Sequence, residues 1–246
     1  MINDSAANLG IAEMPTGIGL PESIAAAPNR AARRLLLETV LVTTAVILTI
    51  ALLARTTLAG ALWFLSPACL VAAAIILAIV REEPFAEIGL SVGRIKQAFP
   101  ILALTCLIAF SATFAGLWLL KLNGYETPLR VARPANGRVI AWLFYQFLYV
   151  AVAEEVFFRG YLQTNLIRLI AIMKCSRRLQ NWMSIVLCAA CFAVAHIVVQ
   201  GKIAAVLTFL PGLILGWLFV RTKSLLAPIL FHGLANTCYC IAATLA

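Results

Sequence analysis

Charge is scarce in this chain. Only 12% of its 246 residues are Asp, Glu, Lys or Arg, with ten acidic residues and two histidines, while 63% are hydrophobic. The mean hydropathy is +0.99. No soluble domain of this size needs so much apolar surface, so the soluble classes are excluded. Other absences narrow the choice further. The seven cysteines are odd in number and sit mostly inside apolar runs, which argues against a disulfide framework. Cys188 and Cys191 have redox spacing but no thioredoxin-like context, and read as small packing residues. Residues 1–30 lack the apolar core of a secretory signal, and their basic residues come too late. There is no His-Glu-x-x-His motif. The net charge of +9 is not a nucleic-acid footprint, because Lys and Arg are spread between apolar runs rather than gathered on one polar face.

What remains is a series of runs long enough to cross a bilayer, which takes about 20 apolar residues each. They fall at 35–54, 57–80, 99–120, 139–164, 182–199, 203–221 and 225–245. The fold class is therefore an all-α polytopic transmembrane helix bundle of about seven spans, with an eighth or re-entrant segment left open. Residues 1–30 read as a disordered or surface leader. Residues 31–138 hold the first spans, with an interfacial amphipathic segment at 81–98, and residues 139–246 form a second unit. Placing the N-terminus inside puts 12 Lys and Arg on inner segments against 6 on outer ones, so the reading is N-in.

Eight of the acidic residues lie in the leader, near the start of the first run, or in and beside loops. Only Glu154 and Glu155 lie deep in an apolar segment. A charge at the bilayer centre costs about 2.5–3.5 kcal/mol on insertion scales, so each needs a partner or a use. Arg159 follows Glu155 by four residues, one turn on the same face, and the two read as an ion pair. Glu154 is turned about 100° away and has no partner in its own helix. Both histidines lie in apolar spans. His196 is in the fifth, and His232 is in the seventh, one turn before Asn236. Glu154, Glu155, Arg159, His196, His232 and Asn236 thus read as the whole deep polar inventory, drawn from three helices that can converge on one water-holding pocket.

Water attack on a peptide bond needs a base, an oxyanion stabiliser and a proton for the leaving amine. Glu154 with His196 can activate a water, and His232 with Asn236 can face the oxyanion. Zinc is open as well, with Glu154, His196 and His232 as its ligands. Two other classes compete: a transporter or proton relay built on the buried Glu, Arg and His residues, and a non-catalytic peptide-binding or immunity protein.

Glu154-Glu155-x-x-x-Arg159, Phe192-x-x-x-His196 and His232-x-x-x-Asn236 match, in order, the three motifs of the CPBP family of CAAX-processing and bacteriocin-processing intramembrane proteases, also called Abi. The stretch from Gly212 to His232 also resembles that family's connection into its last motif. The resemblance covers about 140–240 and implies a protease-like core over 139–246. It implies a glutamate-dependent intramembrane endopeptidase with Glu154, His196, His232 and Asn236 as catalytic residues and Glu155 and Arg159 in support. Family members are often labelled metalloproteases, yet a glutamate mechanism requires no cofactor. The partners expected are membrane lipid and a membrane-associated protein or peptide substrate, with no nucleic acid, and the location expected is a bacterial cytoplasmic membrane.

Overall fold

A computed structural model of the chain describes residues 28–56, 64–90, 95–125, 138–173 and 175–245. The leader expected at 1–30 and the loop at 121–138 lie largely outside the described residues. Among those described there is no strand. Seven helices follow in order: α1 (Pro28–Arg55), α2 (Leu65–Val80), α3 (Ile95–Leu122), α4 (Val139–Ala171), α5 (Arg177–Gln200), α6 (Phe209–Thr222) and α7 (Leu226–Leu245). A 3₁₀ turn, Ile203–Thr208, leads into α6. Six segments, α6 together with the 3₁₀ turn before it among them, are long and apolar enough to cross a membrane, and α2 is a shorter apolar helix of 16 residues. The chain is an all-α polytopic bundle of about seven spans, as its hydropathy predicts.

The helix ends follow local chemistry. Ser176 caps α5 by accepting from the Leu179 N–H, and Gly201 closes it in the left-handed region at φ 66°. Lys223 ends α6 with a left-handed φ of 54°. The short connection that follows lets α7 fold back against α6.

The long helix α4 is the centre of the bundle. Every residue from Val156 to Gln163 is buried. Leu70, Ala74 and Ala78, at four-residue spacing, form the buried face of α2. Phe192 and Ala195 of α5 join the same apolar core. The backbone of α4 is not uniform. It widens to π-helix over Tyr145–Ala151, tightens to α over Val152–Glu155, and widens again over Val156–Gln163. The two glutamates therefore occupy one α-turn between two wide segments, a departure that is common at functional sites.

Small residues set how closely α6 approaches this core. A Cβ on Gly212 would meet the Ala189 side chain at 3.2 Å, and one on Gly216 would meet Gln163 at the same distance. Glycine at both places brings the α6 backbone within reach of α4 side chains. The carbonyl of Gly212 accepts from Arg159, and that of Gly216 accepts from Gln163.

One end of α4 is held by an ionic network. Arg168, 2% exposed, donates to Glu83 at 2.6 Å and to Glu87 at 2.7 Å. Arg81 pairs with Glu38 of α1 and with Glu83, and donates to Asn165. Residues 81–90 therefore wind back as turns against the bundle. Ile88 is buried, and the Gly89 carbonyl accepts from the Leu225 N–H at 2.9 Å.

Candidate active site

The tight turn of α4 points its two glutamates differently. Glu155 is fully buried and Glu154 is partly exposed, at 0% and 20% of their side chains. Arg159 donates to Glu155 Oε1 over 3.1 Å and to the Gly212 carbonyl over 3.3 Å. Its guanidinium also lies 4.7 Å from the centroid of the Phe192 ring, a cation–π contact. The intervening π-winding does not disturb the one-turn pairing of Glu155 and Arg159.

His232 of α7 reaches the same carboxylate, with Nδ1 at 2.7 Å from Glu155 Oε1. Glu155 thus has two partners, one from its own helix and one from α7. A single-helix reading of the sequence finds only the first. With Nδ1–H donated to Glu155, the ring presents Nε2 to Glu154 Oε2 at 3.8 Å. His196 is fixed in a parallel way. Its Nδ1 donates to the Phe192 carbonyl at 2.9 Å, because a carbonyl can only accept. Its Nε2 then stands 3.9 Å from the same Glu154 oxygen. The depth of His196, which the sequence leaves to assumption, is therefore that of Glu154. Phe192 helps to set both rings, with its centroid 4.3 Å from that of His196 and 6.1 Å from that of His232.

Asn236 stands one turn beyond His232 and donates from Nδ2 to Gln146 Oε1 at 2.9 Å. Gln146 is 3% exposed and escapes the sequence reading entirely, as do Gln163, Asn165 and Arg168, all buried on α4. The polar inventory of six is thus too small. The available signal was spacing. Gln146, Val150 and Glu154 recur every four residues on α4, and so do Glu155, Arg159 and Gln163.

Glu154, His196, His232, Asn236 and Gln146 line one cavity of about 750 Å³ between α3, α4, α5, α6 and α7. Most of its wall is apolar, and the space on the α3 side is left by Ala109, Ala112 and Gly116. A smaller cavity of about 350 Å³, towards α1 and α2, shares Glu154 and His196. All seven cysteines are free. Cys188 donates its thiol to the Phe158 carbonyl, which is a packing role.

Two imidazole Nε2 atoms and a carboxylate are donors that zinc accepts. Among the described residues, however, no group of three or more His, Cys, Asp or Glu is arranged to hold a metal ion.

Fold and site together define an integral membrane protein with a buried acid–base cluster beside an apolar cavity. Residues 136–238 match the family described as type II CAAX prenyl endopeptidase Rce1-like. This segment, which carries all three motifs, is similar to that family, in agreement with the CPBP resemblance of the motifs. The match supports a protease of the CAAX type. No curated protein and no solved structure matches the chain.

Proposed function

We propose that the protein is a glutamate-dependent intramembrane endopeptidase that hydrolyses a peptide bond of a membrane-associated protein or peptide. The observation that carries this reading is the convergence on Glu154 Oε2. Two imidazole Nε2 atoms stand 3.8 and 3.9 Å from it, and the oxygen itself is buried with no hydrogen-bond partner. At that spacing the groups are not hydrogen-bonded to each other, so Glu154 keeps an oxygen free to take a proton from the water that hydrolysis consumes.

Glu154, with His196 beside it, takes a proton as the water oxygen attacks the scissile carbonyl carbon. The resulting oxyanion faces His232, as a doubly protonated ring donating from Nε2, and the Asn236 amide. With His232 in that form, Glu154, Glu155, Arg159 and His232 sum to zero charge, which is the cheapest state for a buried set. The tetrahedral intermediate collapses as the carbon–nitrogen bond breaks. The amine nitrogen takes the proton from Glu154 or His196, the second water proton stays on the new carboxyl group, and the products are a carboxylic acid and an amine. Glu155 and Arg159 hold His232 in place. The apolar cavity suits a substrate delivered from the lipid, and the Rce1-like match favours a prenylated C-terminus. We read 139–246 as the protease core, 81–98 as interfacial, and the chain as N-in within a bacterial cytoplasmic membrane.

A proton relay needs titratable groups strung along a path. Below Glu155, Arg159 and Gln163 donate to backbone carbonyls of α6, which cannot pass protons on. The test uses purified protein in liposomes, an internally quenched prenylated CAAX peptide and H₂¹⁸O. Two peptide products, with ¹⁸O in the new carboxyl group, are expected. Proton flux across the liposome without cleavage would instead establish the relay.

A further inference from the structure

We infer that Gln146 is a positioning residue of the reaction, aiming the Asn236 amide at the oxyanion. A buried amide in a membrane helix is costly unless it is hydrogen-bonded, and Gln146, two turns into α4, is 3% exposed. Its Oε1 accepts one hydrogen of the Asn236 Nδ2 at 2.9 Å. An amide nitrogen carries two hydrogens. Fixing one sets the plane of the group, and the other is then directed from a held donor rather than a freely turning one. Both residues line the cavity that holds Glu154, His196 and His232.

The wider arrangement supports this role. Helices α4 and α7 are joined by two polar rungs, Glu155 to His232 at 2.7 Å and Gln146 to Asn236 at 2.9 Å. Between the rungs, Gly233 lies so close to Phe147 that a Cβ there would fall 2.5 Å from the ring. Each α7 residue assigned to the oxyanion is thus held from behind by one α4 side chain. Glu155 fixes the ring of His232, and Gln146 fixes the amide of Asn236. A preorganised donor stabilises developing charge without reorganising at the moment of reaction, and a site whose supporting shell is loose loses that advantage.

The test is a kinetic cycle on the liposome-embedded full chain with the quenched prenylated CAAX peptide. Gln146→Met keeps length but removes the acceptor, and Gln146→Glu keeps the acceptor. Gln146→Ala serves where Gln146→Met is not obtained folded. Gln146→Met is expected to lower kcat about 10- to 100-fold, short of the full loss of a donor, with KM within about twofold. Gln146→Glu is expected to recover most of kcat. In an Asn236→Ala background, the Gln146→Met change should add less than about a twofold loss, because residues that act as one unit are not additive. Unchanged kcat in Gln146→Met, or losses that multiply in the double variant, would overturn the inference. It rests on the oxyanion reading of Asn236, and the two fail differently. A fully active Asn236→Ala overturns both, whereas an impaired Asn236→Ala beside a fully active Gln146→Met overturns this inference alone.

Discussion

Glu155 is shared between two basic side chains, Arg159 of its own helix and His232 of α7. Its Oε1 lies 3.1 Å from Arg159 Nη1 and 2.7 Å from His232 Nδ1, with the carboxylate fully buried. A buried pair is weak evidence for stability, yet breaking one by removing a single partner strands the other charge. Arg159→Met should therefore destabilise the protein by about 3–5 kcal/mol. Thermal unfolding in detergent checks this. The double variant Arg159→Met with Glu155→Gln removes both charges and should regain part of the loss. A double variant no more stable than Arg159→Met would contradict the pairing.

Gly233 sits between the two rungs that tie α7 to α4. A Cβ there meets three atoms of the Phe147 ring within 2.7 Å. Gly233→Ala must push the helices apart, costing about 1–3 kcal/mol as overpacking does. Because His232 and Asn236 ride on that helix, activity per folded molecule should fall as well. Phe147→Ala in the same chain reopens the space and should restore much of both. Melting temperature and kcat, measured together on the single and double variants, decide the matter.

The cavity on the α3 side owes its width to missing side chains. A Cβ on Gly116 has nothing within 4 Å, so a larger residue enters open space rather than a packed wall. Gly116→Leu should leave the melting temperature unchanged and raise KM for the prenylated peptide about tenfold or more, within the range one misfitting apolar group produces in a hydrophobic pocket. Titrating initial rates against peptide concentration in liposomes reads this directly. An unchanged KM would place the lipid-bearing part of the substrate elsewhere.

Much of the fold is legible in the sequence, because hydropathy reports spans directly. Long apolar runs predict the helices that the structure shows, and scarce acidic charge leads straight to Glu154 and Glu155. Helical spacing also suffices for Glu155 with Arg159 and for the shared face of His232 and Asn236. What the sequence hides is anything set between helices. Nothing in a one-dimensional pattern says that His232 meets Glu155, since residues 77 apart are joined only by the packing of α7 on α4. Uncharged amides hide for a different reason. Gln146 and Gln163 draw no notice in a hydropathy scan that looks for charge, although both are buried more deeply than Glu154 and depend on a partner. Arg168 is hidden by its position near a predicted span end, where a surface arginine is ordinary. Its burial follows from Glu83 and Glu87 folding back on it. The α2–α3 connection that reads as an amphipathic surface segment thus directs two of its charges inward.

The most direct test is the cleavage rate of Glu154→Gln, compared with the wild type at equal folded protein in liposomes on the quenched prenylated CAAX peptide. The substitution keeps size and hydrogen bonding but removes the base. A general base contributes about 10²–10⁴-fold, so the account predicts a kcat at least 100-fold lower with KM little changed. A Glu154→Gln protein that cleaves at the wild-type rate would contradict it.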